Sequence, residues 1–216
     1  MSQLQTKLLT ETWVAMSWSD YAEVIADPLY EKAKGYYYKG HMRLEMLPVS
    51  FEHGRDHLAI AFAVTLFAVL KAMPLTGLDN TTFRKPGSGD CQPDLAYYLG
   101  KRAQAVPDGT GIVNLDRYPA PDLAIEIAKT SLLDDLGTKR SLYEELGVSE
   151  YWVVDVAQAQ IIAYAITDGG SHRIRESQVL PRLSLSLLEE ALRRSRETDQ
   201  SAVLNWLTTQ FQQSGP

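Results

Sequence analysis

The chain has 216 residues, 45% of them apolar and 22% charged, which fits one medium globular domain and excludes a disordered or fibrous chain. A single cysteine, Cys91, excludes a disulfide framework and a Cys-based zinc site, and fits a reducing cytosol. The net charge of −6 excludes a general polyanion binder, so contact with nucleic acid must come from local basic patches or bound metal ions.

Met1 to Thr12 is polar and offers no apolar core for an export signal. The longest apolar stretch, Leu58 to Leu70, falls short of the roughly 20 residues that cross a bilayer and reads as a buried helix. The expected location is cytoplasmic, with no membrane partner.

In chain order, Ser17 and Asp20 predict the capped start of a short helix to Ile25, stopped by Asp27-Pro28. Gly35 to Tyr38 and His41 to Met46 read as a hairpin turning at Lys39-Gly40. Met42, Leu44 and Met46 take one face and His41, Arg43 and Glu45 the other, the period of a half-buried ribbon. A long helix follows from about Phe51 to Ala72. It is apolar nearly all round in its second half, so cover on both sides is expected. Pro74 to Gly89 reads as turns carrying Arg84-Lys85. Pro93 to Leu99 and Asp122 to Ala128 read as strands, separated by a loop rich in Pro and Gly.

A helix over about Asp134 to Leu146 is closed by Gly147. Tyr151 to Val156, Gln160 to Ile166 and His172 to Val179 are further strands, the last two joined by a turn at Thr167-Asp168-Gly169-Gly170. The tail from Leu185 to Phe211 is helical, with a break near Thr198 to Ser201. This order predicts an α/β (α+β) fold on a central mixed sheet flanked by helices, with an N-terminal hairpin and a C-terminal helical tail. The expected divisions are a polar segment over 1–14, the domain over 15–190 and the tail over 191–216.

The chemistry is expected at Asp94, Glu126 and Lys139. Strand alternation puts Asp94 with Ala96 and Tyr98, and Glu126 with Ala124 and Ala128, while Leu95, Leu99, Ile125 and Ile127 take the opposite faces. A carboxylate on a buried strand is costly unless it is paired or binds a metal. Two such acids on neighbouring strands make a hard-oxygen site suited to Mg²⁺ or Mn²⁺. Asp122 cannot replace Asp94, because it lies roughly 13 Å from Glu126 along the same strand. Lys129, three residues after Glu126, points to the other face, whereas Lys139 can fold back over the strand end and act on a metal-bound water.

Gln92-Pro93-Asp94, Ala124-Ile125-Glu126-Ile127, Lys139 with Tyr143, and Gly147-Val148-Ser149-Glu150-Tyr151-Trp152 together resemble the Uma-type family of restriction-endonuclease-like proteins, within the PD-(D/E)XK nuclease superfamily. Glu52-His53 at the start of the long helix resembles the same pattern, and the likeness spans about residues 15 to 190. It implies a restriction-endonuclease-like core and divalent-metal hydrolysis of phosphodiester bonds in DNA. It also implies Asp94 and Glu126 as metal ligands, with the lysine displaced onto the helix at Lys139. The superfamily's Glu-x-Lys is here Glu126-Ile127-Ala128, which is why the lysine must come from elsewhere. Glu52 and His53 are accessory candidates.

Other features have plainer readings. His53 and His57 share a helix face, yet no glutamate or third ligand completes a zinc site, so packing is expected, with His53 still able to reach groups near the site. Arg84 and Lys85 are candidate phosphate contacts, and Cys91 reads as an inert buried thiol. Tail apolar positions and Tyr36-Tyr37-Tyr38 are candidate surfaces for a homodimer. The rival functional class is a binding or regulatory module that keeps the fold without catalysis. A two-carboxylate glycoside hydrolase is a third reading, with only Trp152 near the motifs to stack a sugar.

Overall fold

In the computed structural model, which describes residues 10–46, 50–168 and 170–213, Ser17 accepts a hydrogen bond from the Asp20 N–H and so starts α1 (Trp18–Ala26) where its cap residues predict. A two-residue strand β1 (Val14–Ala15) precedes it. The hairpin follows as β2 (Lys34–Tyr38) and β3 (His41–Glu45), with Lys39 and Gly40 both at positive φ in the turn. Ser50 caps α2 (Phe51–Leu70). Residues 1–9 of the expected polar segment, Pro48 before α2, and Gly169 of the expected turn lie outside the described residues.

Pro74 to Gly89 is not the run of turns that its composition predicts. It carries β4 (Leu75–Asp79) and β5 (Phe83–Lys85), and β6 (Gly89–Cys91) follows at its end. These strands are short and carry polar residues or glycine, so alternation has no room to show; pairing with neighbours sets them. Then come β7 (Leu95–Leu99), β8 (Val113–Asn114) and β9 (Leu123–Ala128). The following helix has three parts: α3 (Leu132–Asp134), a π-helical turn over Asp135–Lys139, and α4 (Arg140–Leu146), closed by Gly147 at φ 81°. β10 (Glu150–Asp155), β11 (Gln160–Thr167), β12 (Gly170–Ile174), α5 (Leu185–Arg194) and α6 (Gln200–Gln213) complete the chain.

The fold is mixed α+β with two six-stranded sheets, in the orders β1-β3-β2-β6-β5-β8 and β12-β11-β10-β9-β7-β4. The hairpin is therefore central to a second sheet rather than an appendage to one. Its two faces are both buried: Met42 and Leu44 pack with Tyr21, Tyr30 and Tyr37 under α1, while Arg43 on the other face is only 3% exposed. A ribbon whose polar face is buried needs partners for those charges, and they lie in the site described below.

The β9–β7 sheet is covered on both sides. Leu95, Ile125, Ile127 and Trp152 pack against α2, α5 and α6, and Ala96, Tyr98, Ala124 and Tyr151 face the first sheet and α4. Burying a large side chain such as Trp152 or Phe67 contributes about 2–3 kcal/mol relative to leaving it in water. α2 is long and apolar enough to cross a membrane by length and composition, but seven of its residues are buried in the domain core. As expected it is covered by the sheet on one side, at β4 and β9, and by α5 and α6 on another, and only a strip with Leu58, Phe62 and Val69 remains exposed.

The tail belongs to the same core. α5 runs across the expected boundary at 190/191, and Leu188, Leu192, Leu207 and Phe211 join Phe67 of α2, whose ring meets Phe211 edge-on at 5.1 Å. Tyr36 and Tyr37 are also buried. The surfaces expected for a homodimer are thus largely inside the domain, because their apolar content is spent on its own core.

Candidate active site between the two sheets

β7 pairs antiparallel with β9, Leu95 opposite Ile125 and Ala96 opposite Ala124. Continued by one residue, this register sets Asp94, immediately before β7, opposite Glu126. Opposed residues of an antiparallel pair point to the same face, with Cβ atoms roughly 4.5–5.5 Å apart. The backbone confirms the alignment, since the Ile127 N–H donates to Asp94 Oδ2 at 2.7 Å. Both carboxylates line one cavity of about 350 Å³ at the edge between the sheets.

Glu126 is held by hydroxyls. Tyr143 of α4 donates to its Oε1 at 2.7 Å and Tyr36 of β2 donates to the same oxygen at 3.1 Å. Lys139 Nζ stands 3.7 Å from that oxygen, but it lies closer to Glu45 Oε1 at 2.7 Å and Asp135 Oδ1 at 2.9 Å, over the Tyr36 ring at 4.1 Å. Burial opposes the charge on Lys139, yet Glu126, Asp135 and Glu45 together outweigh it and hold the ammonium firmly charged. Its charge is shared among all three acids. At Glu126 burial is the largest influence, Lys139 only partly offsets it, and the pKa is pushed up to about 8.

Asp94 has the opposite environment. Burial works against its charge, but His53 and Lys34 more than compensate and hold its pKa below the usual carboxylate range. Lys34 Nζ donates to Oδ1, and His53 Nε2 is 3.4 Å from Oδ2. Two carboxylates thus sit in one site with their pKa values driven apart by their surroundings.

The expected residues distribute as follows. Asp94, Glu126 and Lys139 come together, and His53 joins them. Glu52 does not: it pairs with Lys129 at 2.8 Å at the surface, and Lys129, just past the end of β9, lines the cavity of the two carboxylates, contrary to the expectation that it points away from them. His57 pairs with Asp79 at 3.0 Å, and its ring lies 6.1 Å from that of His53 on the wall of the larger cavity. Arg84 is bound to buried Asp90 at 2.6 Å and lines a larger cavity of about 700 Å³ that also reaches Asp94, while Lys85 is exposed. Asp122 accepts from the Leu99 N–H at 2.8 Å and pairs with Arg102, at the other end of β7. Cys91 is buried and free, with its thiol pKa raised by burial.

Sequence reasoning misses Lys34, Tyr36 and Glu45 as members of the site, whereas Asp135 stands four residues before Lys139, the helical spacing that pairs the two. A signal exists for one of them. Glu45 shares a hairpin face with Arg43, and a face of charges on a ribbon whose other face is apolar marks either solvent or a buried polar centre. Lys34 and Tyr36 carry no local signal, because sheet pairing brings them 60 and 90 positions along the chain to Asp94 and Glu126.

The donor set fits a hard divalent cation: carboxylate oxygens from neighbouring strands, with resident lysine charges marking where positive charge is favoured. Among the described residues no three His, Cys, Asp or Glu side chains form a ready cage.

The layered sheets, with this pair of carboxylates across β7 and β9, define a restriction-endonuclease-like α+β fold. The chain is similar in structure to a "putative nuclease belonging to DUF820" from Anabaena variabilis, at a TM-score of 0.58 and 14% identity, covering 82% of this chain and 99% of that one. The Uma2 family model, described as "Putative restriction endonuclease", matches residues 18–203, and the chain belongs to that family. No curated protein matches significantly.

Proposed function

We propose that the protein is a divalent-metal-dependent nuclease that hydrolyses phosphodiester bonds in DNA, with Asp94 and Glu126 as ligands for Mg²⁺ or Mn²⁺. One observation carries this reading: two buried carboxylates opposed on neighbouring strands open onto one cavity. A bound metal ion supplies a water of lowered pKa and positive charge against the phosphate.

The chain's own groups prepare the rest. The Ile127 N–H and His53 fix the plane of the Asp94 carboxylate, and Tyr36 and Tyr143 fix that of Glu126. Lys139 acts through Glu126 and its neighbours as a positioning group, since it lines neither cavity. Water adds to phosphorus, one ester P–O bond breaks, and the leaving oxygen takes a proton, giving a phosphomonoester and an alcohol. Arg84, held by Asp90 on the wall of the larger cavity, would meet a neighbouring phosphate, with Lys85 beside it on the surface. A cytoplasmic location belongs to the same proposal, as does a homodimer, in which two copies would supply the two sites that cutting both strands requires.

Incubation of plasmid and single-stranded DNA with Mg²⁺ or Mn²⁺ tests it. Metal-dependent nicking that Glu126→Ala abolishes supports the reading, and cleavage that survives this change contradicts it.

A further inference from the structure

We propose that Lys34 is the movable cation of this site: it holds Asp94 in the metal-free protein, yields that position to a divalent ion, and then meets the substrate phosphate. The inference rests on the metal-nuclease reading above.

The oxygens of Asp94 are not equivalent. Oδ2 is committed to the Ile127 N–H, a rigid backbone donor at 2.7 Å, with His53 beside it at 3.4 Å. Oδ1 is engaged by Lys34. Oδ1 is therefore the oxygen a metal ion can take, and an ammonium stands on it. An ammonium and a divalent ion at one carboxylate oxygen repel each other, so metal entry requires the lysine to leave.

Lys34 has somewhere to go, and Lys139 does not. The Lys34 side chain is 18% exposed and lines both the 350 Å³ and the 700 Å³ cavities; the Lys139 side chain is 1% exposed and lines neither. Lys139 is enclosed by Glu45, Asp135 and the Tyr36 ring. Lys34 carries its charge on a flexible four-carbon stem, rooted at the first residue of β2. Swung off Asp94, its ammonium remains in the cavities that Asp94 itself lines, where a phosphodiester approaching the metal must sit. Of the two buried-site lysines, Lys34 is the one that substrate can touch.

Two titrations test this on the intact chain: calorimetry with Mn²⁺, and fluorescence anisotropy with a labelled duplex oligonucleotide in Ca²⁺ at several salt concentrations. Lys34→Met removes the competing charge, so Mn²⁺ affinity should rise about tenfold, in the range such neighbouring groups exert on metal sites. The same variant should bind DNA more weakly, with its salt dependence reduced by about one phosphate contact. Lys34→Arg should restore the salt dependence. Unchanged or weaker Mn²⁺ binding by Lys34→Met, with wild-type binding that Asp94→Asn abolishes, overturns the role of Lys34 and leaves the metal site standing. Tighter Mn²⁺ binding with an unaltered DNA salt dependence overturns the phosphate contact. Absence of Mn²⁺ binding by the wild type overturns both the inference and the reading beneath it.

Discussion

Asp94 Oδ2 accepts a hydrogen bond from the backbone N–H of Ile127 at 2.7 Å, so an acid of one strand end is locked to the strand that bears Glu126. The bond is buried, and it uses the donor next to Glu126 in sequence. Geometry at one carboxylate is thereby transmitted to the other through rigid sheet backbone.

That bond separates two substitutions at Asp94. Asp94→Ala leaves the Ile127 N–H buried without an acceptor, at a cost of about 1–3 kcal/mol. Asp94→Asn keeps an acceptor and should lose less stability, while both lose metal affinity. Urea unfolding of the two variants without metal checks this; equal losses would show that the bond contributes little.

Lys139 and Lys129 should differ sharply. Lys139→Met strands Glu45, Asp135 and Glu126 without their shared cation and should destabilise the fold by about 3–5 kcal/mol. Lys129→Met breaks only an exposed pair with Glu52 and should stay within about 0.5 kcal/mol of wild type. Denaturant midpoints for both variants decide it.

The raised pKa values set a pH dependence for the metal-free protein. Glu126 goes from an ordinary 4.5 to about 8, and Asp90, where burial outweighs Arg84, from 3.8 to about 6. A group whose folded pKa is raised contributes stability that is complete below its unfolded value and is lost as pH rises through its folded value. Glu126 should therefore weaken the fold progressively between about pH 4.5 and 8, and Asp90 between about pH 4 and 6. Thermal melts across this range should flatten at the upper end in Glu126→Gln and at the lower end in Asp90→Asn; parallel curves for all three proteins would show that neither acid is protonated in the fold.

Much of this architecture was legible from local chemistry. Ser17 before α1, Lys39-Gly40 in the hairpin and Gly147 after α4 mark their elements because caps and tight turns depend on single residues. The facing of Glu126 followed from alternation alone, with Ala124 and Ala128 beside it and Ile125 and Ile127 opposite. What local chemistry could not carry is what long-range pairing decides. β4 to β6 exist because neighbours pair with them, and Lys34, Tyr36 and Glu45 enter the site only because the hairpin joins a second sheet through β6. The expected helix over Asp134 to Leu146 is right in place, but the π-helical turn at Asp135–Lys139, whose two end residues are buried, has no signature in sequence spacing.

The central claim is that Asp94 and Glu126 hold one divalent ion, and Mn²⁺ calorimetry of the wild type, Asp94→Ala and Glu126→Gln tests it most directly. Because Glu126 must lose its proton to bind, the wild-type heat at pH 7 should vary with the ionisation enthalpy of the buffer, and affinity should strengthen as pH rises towards about 8. Both variants should lose the binding. Wild-type protein that takes up no Mn²⁺, or Asp94→Ala that binds it undiminished, would contradict the account.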